Sequence, residues 1–323
     1  MLFVKNLYTD PYFNMAMEEH FLKNFSDNVF ILWRNEPAII VGKHQNSLAE
    51  INVDFVKEKG IKVVRRLSGG GAVFHDLGNI NFTFIENRSK PDFEKFTRPI
   101  LDVLQKLDID ARFEGRNDLT IGGQKFSGNA IAVWKNRTLE HGTLLFSSEM
   151  ADLSAALKVN PLKFEDKAVK STRSRVTNIS DHLKQDISVV QFLDMVMEHV
   201  MSLYPSNKMY EYTPNDLRKI EHLRDTKYST WEWNFGTSPN YAFSKMIRTS
   251  GGNVEFHIQI QKGTIEHIRI FGDFFGNNDI TELEDYLKNC KHTIDDVQTK
   301  LSQIDISKYI ANATVNELIK GMF

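Results

Sequence analysis

Two arginines, a hydroxyl and three glycines stand together in the stretch Arg65 to Asn79, which reads RRLSGGGAVFHDLGN. A run without Cβ atoms turns sharply and lets the backbone come close to a ligand. Amides exposed there can point at an anion, and the guanidinium groups of Arg65 and Arg66 can neutralise it. Apolar runs flank the glycines, Val63-Val64 before and Ala72-Val73-Phe74 after. The pattern predicts an anion-holding turn between two strands, although a plain hairpin turn has the same composition. The stretch lacks the Lys-Ser or Lys-Thr pair of a P-loop, and it lacks the G-x-G-x-x-G of a dinucleotide fold.

Two further stretches belong with it: GRNDLTIGGQKFSGNA at Gly115 to Ala130 and KSTRSRVTNI at Lys170 to Ile179. The three together resemble the signature of lipoate–protein ligases of the LplA type, and the resemblance runs over essentially the whole chain. It implies an α/β (α+β) catalytic fold: a mixed, mostly antiparallel sheet with flanking helices, plus a small α+β C-terminal domain. The activity it implies has two halves. Lipoate attacks the α-phosphate of ATP to give lipoyl-AMP and pyrophosphate. A lysine on a lipoyl domain then takes the acyl group, the acceptor being a 2-oxoacid dehydrogenase E2 subunit or the glycine-cleavage H protein.

Neither half needs a nucleophile from the enzyme. Both need positive charge and donors where negative charge gathers. Lys125, which follows Gly122-Gly123 and opens a small-residue strand, is the expected central cation for carboxylate and α-phosphate; a solvated strand-end lysine is the competing reading. Arg66 and the amides through Gly71, Ala72, Val73 and Phe74 are expected at the phosphates. Asn117 and Asp118 would fix the adenylate or, at Asp118, hold Mg²⁺, which needs only one or two protein carboxylates; a simple Asn-Asp turn is the alternative. Leu67, Ser68, Gly70, Gly71, His75 and His141 are assigned to the lipoate pocket with Lys125. The two histidines are read as buried hydrogen-bonding residues rather than acid–base catalysts, and Asp76 as a group that orders the turn. The resemblance makes the basic segment 163–178, with Arg173, a lid over the adenylate. An exposed loop without order is the other reading of that composition.

The elements that must carry these groups are legible in part. Asp10-Pro11 starts a helix whose Phe13, Met17, Phe21 and Phe25 recur every fourth residue, with Asn14, Glu18 and Glu19 read as a solvated acidic face. Val29 to Trp33 and Ala38 to Gly42 read as strands, Ile51 to Lys59 as a helix ended by Gly60, and Lys62 to Arg66 as the strand that delivers the turn. Ile80, Phe82 and Phe84 alternate with Asn79, Asn81 and Thr83, as in a half-buried strand. A helical stripe follows from Phe93 to Leu107. Strands with turns at Gly122-Gly123 and Asn136-Arg137 follow it, then helices from Ser148, Val189 and Leu217. Trp231, Trp233 and Phe235 alternate like a strand. Gly236 to Asn240 reads as a boundary between a ligase domain, 1–238, and an accessory domain, 239–323. A hairpin around Lys262-Gly263 and three helical patterns fill the latter.

Composition bounds the alternatives. At 323 residues the chain holds two domains or one large one, and a net charge of −2 implies neither a nucleic-acid binder nor a polyanion. No apolar run is long enough to span a membrane, and the N-terminus lacks the order of a secretory signal, so a cytoplasmic setting is expected; a monomer is expected separately. The single cysteine, Cys290, excludes a disulfide framework. It also lies far from every motif, which argues against an ATP-independent octanoyl or lipoyl transferase working through a cysteine thioester. A non-catalytic lipoate- or nucleotide-binding protein is the reading from another class.

Overall fold

A computed structural model describes the chain except residues 44, 46, 88–91, 116, 150–155, 158–175, 237–240, 273 and 275. Residues 163–175 of the expected lid, Arg173 among them, and most of the helix expected from Ser148 lie outside the described residues. Two compact units are present: residues 1–45 with 49–230, and residues 46–48 with 231–323. The division falls before the Gly236–Asn240 stretch.

In chain order the first unit contains β1 (Leu2–Lys5), α1 (Pro11–Asn24), β2 (Val29–Trp33) and β3 (Ala38–Val41). Then come α2 (Ser47–Glu50), which begins in the second unit, α3 (Val53–Lys59), β4 (Lys62–Arg65), β5 (Val73–His75), β6 (Asn79–Glu86) and α4 (Phe93–Lys106). It continues with β7 (Ala111–Glu114), β8 (Asp118–Ile121), β9 (Gln124–Trp134), β10 (Arg137–Leu145), α5 (Val189–Ser202), β11 (Lys208–Met209) and α6 (Pro214–Leu223). Eight strands form one sheet in the order β11-β1-β2-β6-β10-β9-β8-β7, parallel only at β11/β1 and β1/β2. Its apolar face, with Phe82 and Phe84, packs with Phe96, Ile100, Phe192 and Val196 of α4 and α5.

A second, three-stranded sheet has the order β4-β3-β5. The two strands around the glycine run are therefore not partners. β3 lies between them, and the turn crosses over its end. Gly42, just past β3, shows how tightly: a Cβ there would come within 2.0 Å of the Gly70 carbonyl oxygen.

Local signals account for many boundaries. Asp10 caps α1 and Pro11 occupies its first turn. Gly60, at φ +62°, ends α3 in the left-handed region. Gly122 and Gly123, both at positive φ, join β8 to β9 as a primed hairpin turn does. The next turn is Lys135-Asn136 rather than Asn136-Arg137, because Lys135 takes the positive φ and Arg137 already pairs with Trp134.

Two burial expectations are overturned. α1 contacts β6 and β10 of the large sheet and β4 of the small one, so its polar residues are enclosed: Asn14 is 0 %, Glu18 3 % and Glu19 4 % exposed. They are not a solvated face. β6 is likewise buried at all eight positions, its polar face covered rather than wet. The signal was present in α1, which carries Met15, Ala16 and Leu22 off the Phe stripe; a helix apolar on several sides is a buried one.

In the second unit β12 (Tyr241–Thr249), β13 (Gly252–Gln261) and β14 (Thr264–Gly272) make an antiparallel sheet, with α7 (Ile280–Leu287), α8 (Ile294–Leu301) and α9 (Val315–Met322) completing one core. The expected hairpin is its β13–β14 part. Trp231 to Phe235 is helical, not a strand: at i,i+4 the two rings stack, centroids 6.4 Å apart.

Candidate active site

A cleft of about 180 Å³ opens between the glycine turn and the polar face of the large sheet. Of the residues expected from sequence, Arg66, Gly70, Gly71, Ala72, Val73, His75, Asn117, Lys125 and His141 line it. Leu67, Ser68, Phe74 and Asp118 do not line it: Leu67, Phe74 and Asp118 are next in sequence to residues that do, and Ser68 is hydrogen-bonded to two of them, Arg66 and His141. Sequence reasoning missed Met15, Trp33, Ile40, Asn81, Gly128, Asn129, Ala130, Gly142 and Thr143. Alternation along β6 could have found Asn81, since it points away from the Phe82 core. Nothing local marks the others.

The turn is shaped by its own arginines. Arg65 Nη1 donates to the carbonyls of Gly42 (2.9 Å), Lys43 (3.1 Å) and Gln45 (2.7 Å). Arg66 donates from Nε to Ser68 Oγ (2.9 Å), from Nη1 to the Ile40 carbonyl (3.0 Å), and from Nη2 to the carbonyls of Gly69 (2.6 Å) and Gly71 (2.8 Å). Gly70 sits at φ +92°, a conformation the fork of Arg66 holds from inside. Burial pushes both guanidinium groups down to about 10, with Glu18 opposing the shift at Arg66; both stay charged at neutral pH. Arg66 is therefore a built-in positive charge under the turn, while Gly70 and Gly71 face solvent at the cleft.

Lys125 reaches the cleft from the other side. Its strand carries a bulge: Leu119 pairs with Ser127 and Thr120 with Lys125, which leaves Phe126 unmatched. A bulge re-aims the side chain beside it. The amine lies over Gly128, 2.9 Å from where a Cβ would stand, so the missing side chain makes its room. It pairs with Asp118 Oδ1 at 2.7 Å, both side chains 40 % exposed. The Thr177 amide donates to the Lys125 carbonyl (3.0 Å), tying the end of the third motif to this strand. Asn117 is pinned to β9 by reciprocal bonds with Asn129. Asp76 orders its turn by accepting from the Gly78 and Glu149 amides.

Two histidines form the inner wall. His141 Nδ1–H donates to Glu18 (2.9 and 3.1 Å), and its Nε2 accepts from Ser68 Oγ (2.6 Å). Glu18 also accepts from Thr83 (2.6 Å), whose oxygen accepts from Trp33 Nε1 (2.9 Å). His75 Nδ1 accepts from Asn35 Nδ2 (3.0 Å), while its Nε2, buried, has no partner among the described residues. Burial, helped by Arg66 and His141, pushes this imidazole down to about 3, so it is neutral.

The family model for the lipoyl protein ligase A/B catalytic domain matches residues 10–201, and that for the bacterial lipoate protein ligase C-terminus matches 238–322. The chain belongs to the lipoate–protein ligase family. Lipoate–protein ligase 1 of Staphylococcus aureus is 41% identical over 98% of both chains. Among solved structures, lipoate-protein ligase A bound with ATP is 28% identical, with a TM-score of 0.63 over 73% of this chain and 100% of that one. LipL1 of P. falciparum in complex with lipoate is 25% identical, with a TM-score of 0.63 over 94% of each. A bi-partite lipoate protein ligase from Thermoplasma acidophilum, described with its E2 lipoyl domain, is 31% identical, with a TM-score of 0.63 over 73% of this chain and 96% of that chain. The membership agrees with the mixed, mostly antiparallel fold described above.

Proposed function

We propose that this protein activates lipoate with ATP at the cleft and transfers the lipoyl group to a lysine of a lipoyl domain. The observation that carries the reading is the convergence of the Lys125 amine and the exposed glycine turn on one cleft. A carboxylate and a triphosphate repel each other; a fixed cation between them lowers the cost of their approach. The lipoate carboxylate oxygen attacks the α-phosphorus, the bond to the β-phosphate oxygen breaks, and pyrophosphate leaves. The acceptor amine then attacks the acyl carbon, loses a proton, and AMP leaves.

Lys125 is the catalytic cation, exchanging Asp118 for the substrate's oxygens. Arg66 and the amides of Gly71, Ala72, Val73 and Phe74 serve the phosphates, with Asn117 and Arg173 completing the adenylate site. Gly70, Gly71, His75 and His141 line the lipoate pocket, with Leu67 and Ser68 supporting it from behind. Asp118, 40 % exposed and paired with Lys125, fits a one-carboxylate Mg²⁺ site; the ion would neutralise phosphate charge. Residues 1–238 are read as the ligase domain and 239–323 as its accessory domain. The proposed acceptors are 2-oxoacid dehydrogenase E2 subunits and the glycine-cleavage H protein, with the enzyme a monomer in the cytoplasm. Among the described residues no helix is long and apolar enough to cross a membrane.

A thioester route lacks support. Cys290 is the only cysteine, is buried in the second unit, and has its thiol pushed up by burial, the reverse of what a nucleophile needs. The test is lipoate-dependent exchange of pyrophosphate into ATP. Lys125→Ala is expected to lower it by ~10²–10³-fold while the protein stays folded; exchange at the wild-type rate in that variant refutes the assignment.

A further inference from the structure

The two ends of the cleft differ in chemistry. At one, the half-exposed Lys125 amine sits over Gly128. At the other, Trp33 and His75 meet edge to face, ring centroids 6.1 Å apart. The strands between supply a ruler. Trp33 pairs with Asn81, Asn81 with Thr143, and Gly128 donates its amide to Thr143 Oγ1. Three strand spacings make about 14 Å, comparable with a stretched eight-carbon acid and its terminal ring. The ruler runs from the strand position under the Lys125 amine to Trp33, so an acid that lies along it with its carboxylate at Lys125 brings its tail towards Trp33 and the His75 ring beside it.

His75 waits there with an unmet donor, and the network behind it decides which nitrogen carries the proton. Tyr212 OH donates to Asn6 Oδ1 (3.0 Å), Asn6 Nδ2 to Asn14 Oδ1 (2.7 Å), Asn14 Nδ2 to Asn35 Oδ1 (2.8 Å), and Asn35 Nδ2 to His75 Nδ1 (3.0 Å). The amide orientations follow from pure acceptors. Asn6 and Asn14 also donate to the Tyr8 carbonyl, at 3.1 and 3.0 Å, and Asn14 to that of Arg34, at 3.0 Å, the two hydrogens of Asn14 being shared among its three acceptors. Neither amide can flip without facing oxygen to oxygen. Asn35 must therefore present its NH₂ to His75, which leaves the ring proton on Nε2. All three asparagines are buried.

We propose that the His75 Nε2–H recognises the dithiolane sulfurs, and that Asn35, backed by Asn14 and Asn6, is a positioning residue that holds the ring in this tautomer. The inference rests on the reading of lipoate as the acid. Sulfur is a weak acceptor, but a buried donor without another partner gains even from a weak one. A plain eight-carbon acid fills the same space and leaves the donor unpaired, so the enzyme prefers lipoate to octanoate.

The experiment compares kcat/KM for lipoate and octanoate in the exchange assay. Asn35→Leu and His75→Phe are each expected to lower the lipoate-to-octanoate ratio about tenfold. His75→Gln, whose amide NH₂ takes the place of Nε2–H, is expected to restore most of it. Nitrogen NMR of the wild-type protein is expected to show His75 protonated on Nε2 and non-titrating between about pH 5 and 8. An unchanged ratio in folded variants overturns the proposal, and so does a ring protonated on Nδ1. Should the variants not fold, the NMR result decides alone. Wild-type exchange that depends on neither acid overturns the ligase reading, and this inference with it, before any variant is made.

Discussion

Two buried hydrogen-bonded chains run to the cleft wall, and they end differently. The chain through His141 is closed: Arg66, Ser68, His141, Glu18, Thr83 and Trp33 each find a partner in the next, and the carboxylate of Glu18 balances the guanidinium of Arg66. The chain through His75 is open, since its last donor has no acceptor among the described residues. A satisfied network rigidifies what it touches, here the glycine turn, whereas an orphaned buried donor costs stability unless something else pairs it. On the proposal above, the contrast divides labour between two histidines of the pocket: His141 holds the frame, and His75 is kept for the ligand.

Breaking the closed chain is expected to act on the frame first. Glu18→Ala strands the Arg66 charge and the His141 donor, and ~3–5 kcal/mol of stability is expected to go in a denaturant melt. A loss below about 1 kcal/mol would mean the chain does not hold the turn.

The open chain has a pH signature. His75 falls from its ordinary 6.5 to about 3 on folding, so between those values the unfolded state binds more protons than the native one. Stability therefore declines as pH falls through 6.5 towards 3, and the contribution is fully present above 6.5. His75→Phe is expected to flatten that decline in melts taken across the range; an unaltered slope would mean that the ring titrates normally.

The smallest effect sharpens the comparison most. Thr83→Val keeps shape but removes one link of the closed chain, and about 1–2 kcal/mol is expected to be lost. The lipoate-to-octanoate ratio is expected not to move, because Thr83 has no part in the His75 chain. A shifted ratio would show that the two chains are coupled and the division false.

Much of this molecule could be read locally. The capped helix after Asp10, the stop at Gly60 and the turn at Gly122-Gly123 follow from residues within a few positions of one another. So does the expectation of strands on either side of the glycine run. Burial of polar side chains was not readable in that way. Asn14, Glu18 and Thr83 look like the wet sides of an amphipathic helix and strand. What encloses them is α1 contacting strands of both sheets, brought together from positions 50 to 120 residues further along. The same gap misassigned Trp231 to Phe235, where ring stacking at helical spacing outweighed an alternation that also fits a strand.

By itself the sequence determined the family, the glycine turn with its arginines, and a lysine at the start of a strand, because these depend on short stretches whose chemistry needs few neighbours. Only the tertiary structure decided that β3 separates the two strands of that turn, that a bulge and the bare Gly128 bring the Lys125 amine to the cleft, and which nitrogen of His75 bears its proton. Each of those turns on hydrogen-bond or packing partners supplied by other elements, and a tautomer set through three amides exists only once the whole chain of donors has been assembled.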